Sequence, residues 1–432
     1  MPHEARFAPT YQNAPYWWRG RATGGPDEAP LPHKTDVVVI GSGYTGLHAA
    51  IQTARAGRST LVIDAEQIGW GCSTRNGGQI STSVKPSYDA LCKNYGQRMA
   101  QDILREGQAS LDFTADFIER HSIQCDFKVT GRFHGAHSAR QYEKLAKACD
   151  TPNPVLTTDA YPVPKSEQHT ELATEFYHGG VVFPKHASVD PGRYHAGLVD
   201  LARQNGAQLV PQCMAHAISE EAGTYTLSTA KGVIQAQKVI VATNGYSGTL
   251  WPFLQRRIIP IGSYIIATED LPKDLTDRLF PTDRILSDTR KLVYYYRLSP
   301  DRKRVLFGGR VSLRETDPRK SAPILHRDLI RIFPELKDVR IAQSWQGTVG
   351  YTFDSLAHAG HQGGIYWAGG YCGSGVGMAS YLGHMIGRQA AEDPTARTVF
   401  AEIPFRGRPY FRGNPWFLSP SILYYRLVDA FG

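Results

Sequence analysis

The hydrophobic pattern first becomes regular across residues 35–64. The run Val37-Val38-Val39-Ile40 is unbroken and β-branched, as a parallel strand buried on both faces requires. Residues 44–56 carry small or apolar side chains at Gly46, Ala49, Ala50 and Ala54, a helical spacing, and Gly57 is placed to end that helix in a left-handed turn. Residues 59–63 return as a second strand. Ahead of this unit, the first 34 residues read as an extended arm rich in Pro and aromatics, including Tyr16-Trp17-Trp18. Downstream, residues 97–121 form a long helical pattern with Ile103, Leu104, Leu111, Phe117 and Ile118 as candidate buried positions. Asp190-Pro191 starts another helix, with Asp as cap and Pro in the first turn. Strands are predicted over 208–210 and 238–242, and the chain turns β-rich over 250–310, with strands at 263–268, 291–298 and 305–310. The last two flank Ser299-Pro300-Asp301, a hairpin signal. Residues 364–387 again read strand, glycine loop, helix. Dinucleotide-type elements at both ends, with a sheet-rich insertion between, predict two domains built from discontinuous segments.

The turn between the first strand and helix is Gly41-Ser42-Gly43-Tyr44-Thr45-Gly46. Gly41 suits the tight turn, Gly43 lets the backbone approach a pyrophosphate, and Gly46 lets the helix pack close to the strand. The helix N-terminus then presents free N–H groups to the phosphates. Asp64 ends the next strand, where an acid pairs with a ribose 2′-hydroxyl. NAD and FAD both use this fingerprint, so it does not choose between them.

Bulk properties narrow the alternatives. A chain of 432 residues with 41% hydrophobic content can bury two or three domain-sized cores. No apolar run approaches the roughly 18 residues that span a bilayer. The N-terminal residues lack the apolar core of a secretory signal, so the expected location is cytoplasmic. The six cysteines show no C-x-x-C pair or zinc spacing and read as free thiols. Net charge is +8, yet the densest basic run, Arg302-Lys303-Arg304, falls at a hairpin turn, which argues against nucleic-acid binding. His358-x-x-His361 is flanked by glycines with no third ligand nearby, so no metal site is expected. No nucleophile elbow occurs.

After Asp64 the chain continues Ile68-Gly69-Trp70-Gly71-Cys72-Ser73-Thr74-Arg75-Asn76-Gly77-Gly78-Gln79. Here the sequence resembles the D-amino-acid oxidase superfamily of flavoproteins, most closely its γ-glutamylputrescine oxidoreductase branch. In that family the segment runs beside the pyrophosphate and flavin ring, and Arg75 could offer its fixed fork of donors. Val239-Ile240-Val241-Ala242-Thr243-Asn244-Gly245 resembles the family's second strand and turn, which closes over FAD. Trp367-Ala368-Gly369-Gly370-Tyr371-Cys372-Gly373-Ser374-Gly375-Val376-Gly377 resembles its final glycine loop, whose N–H groups face the flavin's pyrimidine edge. The resemblance implies an α/β fold: a Rossmann-like FAD-binding domain (1–95, 180–255, 340–432) interleaved with a mixed-sheet α+β substrate domain (96–179, 256–339). It implies FAD as cofactor. The candidate cofactor residues are Gly41 to Gly46, Asp64, Ala65, Gly71, Cys72, Arg75 to Gln79, Ala215, Ala242 to Gly245, Gly370 and Gly373 to Gly377.

Departures from the family are informative. Val349 and Gly350 precede Tyr351, where monomeric sarcosine oxidases carry a flavin-linked cysteine, and Arg75 stands where dimethylglycine-type dehydrogenases use a histidine. Non-covalent FAD is expected, with Cys72 and Cys372 as the residual candidates for a tether. Gly377 replaces the lysine by which sarcosine oxidases grip a substrate carboxylate, which suggests a substrate without an α-carboxylate. A second lysine, linked to O2 reduction, falls near Leu306, leaving O2 or another acceptor open. By similarity, Tyr295, Arg310 and Tyr351 fall near pocket residues, and aromatic faces suit an amine. The expected activity is oxidation of a small amine, γ-glutamylputrescine-like, by hydride transfer to flavin, giving an imine that hydrolyses. The alternative is a dehydrogenase of another small substrate, such as a hydroxy acid, feeding a quinone. The aromatic C-terminal stretch around Tyr410, Trp416 and Tyr424 would then touch a lipid surface.

Overall fold

The computed structural model describes residues 6–19, 30–82, 84–150, 155–156, 158–309 and 316–431. Arg310 therefore lies outside the described residues.

Five parallel strands form the heart of one sheet, in the order Ile365–Gly369, Gly232–Val241, Lys34–Ile40, Thr60–Ile63 and Gln208–Val210. The β-branched run is buried on both faces, as its composition requires. Val37 and Val39 enter a core with Leu47 and Ile51 of helix Tyr44–Arg55 and Leu382 of helix Gly375–Ala390. Val38 and Ile40 enter a second core with Val239, Val241 and Trp367. The antiparallel strands Ala215–Glu221 and Thr224–Thr229 add a ribbon on the first half of Gly232–Val241. Asp190 caps helix Pro191–Gln204 by accepting from the Arg193 N–H at 2.8 Å.

A nine-stranded, mostly antiparallel sheet runs Phe7–Gln12, Ile341–Tyr351, Ile259–Thr268, Val305–Gly309, Tyr295–Leu298, Ile285–Asp288, Arg132–Gly135, Gly180–Phe183 and Tyr161–Val163. One face carries Tyr264, Ile266, Tyr296 and Phe307 against Leu325 and Leu329 of helix Pro318–Ile332. Strand alternation sends the opposite parity to the other face. The cross-strand partners there are His134, Ser287, Tyr295, Gly308, Ile265 and Trp345. We propose the two sheets as the centres of the cofactor-binding and substrate-binding units.

Three placements differ from the sequence reading. The N-terminal arm supplies an edge strand, Phe7–Gln12, parallel to Ile341–Tyr351. Helix Gln97–Arg120, assigned by the sequence to the substrate unit, buries Ile103, Leu111 and Phe117 in the core beside the parallel sheet. Its apolar stripe matched a helix on either sheet, so periodicity could not choose. The strand expected over 291–298 begins only at Tyr295, because the Lys291 and Leu292 N–H groups donate to the Asp429 carboxylate instead of a ladder.

The C-terminal aromatic stretch divides. Phe411 is buried beside Phe353, whereas Trp416 and Tyr424 are each 62% exposed. Among the described residues, no helix is long and apolar enough to cross a membrane.

Candidate flavin site

The site lies where the parallel strands end. Their carboxyl ends bring Gly41, Asp64, Ala242-Thr243 and Gly370 together, the place where open α/β sheets take ligands. Gly41 holds φ +105°, and a Cβ there would stand 2.9 Å from the Ala242 carbonyl oxygen. At Gly46 a Cβ would stand 1.9 Å from the Gly41 oxygen, and at Gly43 it would stand 2.9 Å from Ser73 Oγ. Those bare surfaces form a cradle that any side chain would fill, and they fit a dinucleotide pyrophosphate.

Asp64 is engaged within the cradle. One carboxylate oxygen accepts from the Ser42 N–H at 2.8 Å and the Ser42 hydroxyl at 2.6 Å, and the other accepts from the Glu66 N–H at 3.0 Å. A carboxylate offers about four lone-pair directions, so capacity remains for a ribose hydroxyl. His195 Nε2 meets the Ser42 carbonyl at 2.7 Å, and the Gly69 N–H donates to Ser42 Oγ at 3.1 Å. Ala65 and Ala215 flank the point where the Cys213 N–H returns to the Asp64 carbonyl.

Asn244 takes φ +43°, and its Oδ1 accepts the Gly370 N–H at 2.8 Å, which ties the second turn to the last glycine loop. A Cβ at Gly245 would stand 2.9 Å from the Thr348 oxygen, so this turn also touches the nine-stranded sheet. Thr45 Oγ1 and the Tyr371 hydroxyl lie 2.6 Å apart, joining the first glycine loop to the last. Gly373, Ser374, Gly375, Val376 and Gly377 open helix Gly375–Ala390 beside them.

Gly71 to Gln79 cross from the cradle to the nine-stranded sheet. The Asn76 amide donates to the Cys72 and Ser73 carbonyls at 3.1 Å and accepts from the Gly78 N–H, fixing the turn. Arg297 Nη1 donates to the Gly78 and Val189 carbonyls at 3.0 Å. Burial pushes its guanidinium down to about 10, which leaves it charged at neutral pH. Gln79 Nε2 donates to the Leu286 and Tyr296 carbonyls.

Arg75 commits part of its fork to main chain. Its guanidinium lies over both the Trp18 and Trp70 rings, and it donates to the Trp70 and Gln346 carbonyls. These two of its five donors brace the segment. The stacking comes from the N-terminal arm, which also donates Trp17 Nε1 to the Asn76 carbonyl and Trp18 Nε1 to Thr74 Oγ1.

Both described tyrosines of the expected pocket sit at this junction. Cβ atoms built at Gly77 and Gly308 would stand 3.2 and 2.4 Å from the Tyr295 ring, so both glycines face that ring, and its hydroxyl pairs with Ser263 Oγ at 2.8 Å. Burial raises its pKa, so the phenol is neutral. Tyr351 brings its hydroxyl 3.5 Å from the position of a Gly373 Cβ. Arg310, the third candidate, lies outside the described residues.

Sequence reasoning missed two neighbours. The Tyr246 hydroxyl accepts the Thr348 N–H at 3.1 Å, and its place directly after the Thr243-Asn244-Gly245 motif was the available signal. Lys85 donates to the Tyr351 hydroxyl at 3.0 Å, and nothing in its local sequence announces this. The two motif cysteines are protonated thiols: burial pushes Cys72 up to about 11 while it donates to the Thr348 carbonyl, and Cys372 is likewise raised by burial. His358 and His361 point to opposite faces of strand His358–Gln362, with His358 buried against Phe405 and Asp354. Among the described residues, no three His, Cys, Asp or Glu side chains gather as a metal site.

A glycine-built dinucleotide cradle facing an aromatic sheet defines the class: a flavin-dependent oxidoreductase. The chain belongs to the DAO family of FAD dependent oxidoreductases, whose family model matches residues 36–389, and FAD is its cofactor. It is 31% identical to a probable oxidoreductase OrdL of Rhizobium meliloti (strain 1021), covering 93% of this chain and 94% of that one. It is also 31% identical to the gamma-glutamylputrescine oxidoreductase of Escherichia coli (strain K12), covering 92% and 93%. The fold is shared with glycine oxidase from Bacillus cereus ATCC 14579, at TM-score 0.69 and 17% identity over 87% of this chain and 99% of that one.

Proposed function

We propose that this enzyme oxidises a small amine, releasing an imine that water hydrolyses to an aldehyde or ketone and a smaller amine. The observation that carries the reading is the pair of tyrosines, Tyr295 and Tyr351, reaching from the nine-stranded sheet toward Gly77 and Gly373 of the cofactor loops. Aromatic faces attract an ammonium group by about 0.5–2 kcal/mol, drawing the amine to the site. FAD, when bound, supplies the hydride acceptor. The reacting amine must be neutral, and a neutral, buried Tyr295 adds no negative charge that would hold it protonated. Similarity to a gamma-glutamylputrescine oxidoreductase supports an amine of that general kind.

The cysteine thiols are engaged with main-chain carbonyls, which supports non-covalent FAD. The test is an amine panel added anaerobically to the yellow holoenzyme. Bleaching by one or more amines, followed by recolouring with O2 or a dye, is expected. An FAD-loaded protein inert to every amine would remove the reading.

A second reading hands the electrons of another small substrate, such as a hydroxy acid, to a quinone. It draws on the exposed Trp416 and Tyr424. Bleaching by hydroxy acids but not amines, with quinone outpacing O2, would favour it.

A further inference from the structure

We propose that residues 403–428 dock the enzyme on an anionic lipid surface, with the outer side of helix Leu418–Phe431 and its neighbouring aromatics resting among the headgroups. The inference concerns where the enzyme works rather than what it oxidises, so it goes beyond both readings above.

Helix Leu418–Phe431 is apolar on two sides. The helical period puts Leu418, Ile422 and Asp429 on one of them. That side is held by the protein: Ile422 is buried, and Asp429 accepts the Lys291 and Leu292 N–H groups at 2.7 and 3.0 Å. Leu423, Tyr424 and Leu427 share the opposite side, where they are 49, 62 and 59% exposed. A helix apolar all round belongs in apolar surroundings, so the outer side calls for a cover. Just ahead of the helix, the exposed Tyr410 and Trp416 rings lie 6.4 Å apart. Single exposed apolar residues are ordinary, but a group of this size marks an interaction surface. Its base is firm, because Phe353 meets Phe411 and Phe417 at ring distances of 5.6 and 6.3 Å. Phe353 lies two residues beyond Tyr351, so the surface borders the strand end that carries this pocket tyrosine.

Charge identifies the occupant. Residues 403–428 contain Arg406, Arg408, Arg412 and Arg426 and no Lys, Asp or Glu. Arg406, Arg408 and Arg412 are exposed. Of the acids at the borders, Asp429 is committed to the two N–H groups, and Asp354 to His358 Nε2 and the Tyr95 hydroxyl. Glu402, just before the segment, leaves a clear positive excess. Trp and Tyr beside arginines suit the boundary between headgroups and acyl chains, and anionic headgroups supply the opposite charge. A second copy fits less well, since a twofold contact is self-matching and would bring the arginines of both copies together. Among the described residues, no helix is long and apolar enough to cross a membrane, so the attachment is peripheral.

The experiment spins the FAD-loaded enzyme with vesicles of phosphatidylglycerol and phosphatidylcholine in equal parts, and with phosphatidylcholine alone, at low and high salt. Wild type should sediment with the anionic vesicles, less so at high salt, because exposed charges are screened. Arg408→Gln/Arg412→Gln should lower the partition by about fivefold per arginine. Leu423→Ser/Leu427→Ser should lower it by roughly tenfold or more through lost apolar contact. Both variants should keep the flavin content and melting temperature of wild type, because the replaced side chains are exposed. Wild type that stays in the supernatant, or sediments equally with phosphatidylcholine alone, would overturn the proposal. So would vesicle binding that neither variant weakens. Light scattering in the absence of lipid tests the rival occupant: self-association abolished by Leu423→Ser/Leu427→Ser would give the surface to a second copy and refute the lipid assignment.

Discussion

Gly46→Ala isolates the cradle's steric demand. Gly46 sits in the first turn of helix Tyr44–Arg55, away from the left-handed region, so alanine should gain about 1 kcal/mol of helix propensity there. Against that gain, its Cβ would lie 1.9 Å from the Gly41 oxygen and 3.1 Å from Val39 Cγ1. The oxygen belongs to main chain held by the Gly41 N–H bond to Ile63, so the contact cannot be relieved by a rotamer change. Separating the atoms to a normal distance requires more than 1 Å of movement, on the scale of overpacking that costs about 3 kcal/mol. The net effect is a loss of about 2 kcal/mol, with the phosphate loop displaced as well. Gly57→Ala is the control: φ is +75° with nothing within 4 Å, so only the backbone strain of about 1–2 kcal/mol applies, far from the cofactor loops. Thermal melts and the ratio of flavin to protein absorbance after dialysis read the two effects. Gly46→Ala should lose both stability and FAD, whereas Gly57→Ala should lose stability alone. A Gly46→Ala enzyme as stable and as yellow as wild type would refute the steric argument.

Three further expectations follow from the same contacts. Arg297→Met removes two charge-assisted bonds to the Gly78 and Val189 carbonyls, and a loss of about 3 kcal/mol with weakened FAD retention is expected in melts and dialysis; unchanged retention would show that the clamp does not shape the site. Burial pushes His134 down to about 3, so the unfolded chain takes up its proton near pH 6.5 while the folded chain does not; stability should fall as pH drops from 6.5 toward 3, and His134→Gln should flatten the melting temperature against pH over that window. Acid precipitation should release all flavin into the supernatant for wild type, Cys72→Ser and Cys372→Ser alike; flavin retained in the wild-type pellet and lost in one variant would identify a tether.

The sequence alone determined the dinucleotide half in detail. Short-range rules govern it: a β-branched run buried on both faces, glycines where a Cβ would strike a neighbour, and a helix that starts at the fourth residue of the loop. Their signature is local in sequence, so Gly41, Gly43, Gly46 and Asp64 could be picked out as candidates without a partner in view, although Gly41 meets Ala242 and Gly43 meets Ser73 only in the folded chain. The tertiary structure decided what depends on distant segments meeting. Arg75 has a fork of donors in any context, but only the arrival of Trp18 and the Gln346 carbonyl turns it into a brace. Phe7–Gln12 became a strand because Ile341–Tyr351 offered an open edge, which no local pattern encodes. Lys85 acquires meaning only beside Tyr351, 266 positions away in sequence, because charge is felt through space rather than along the chain.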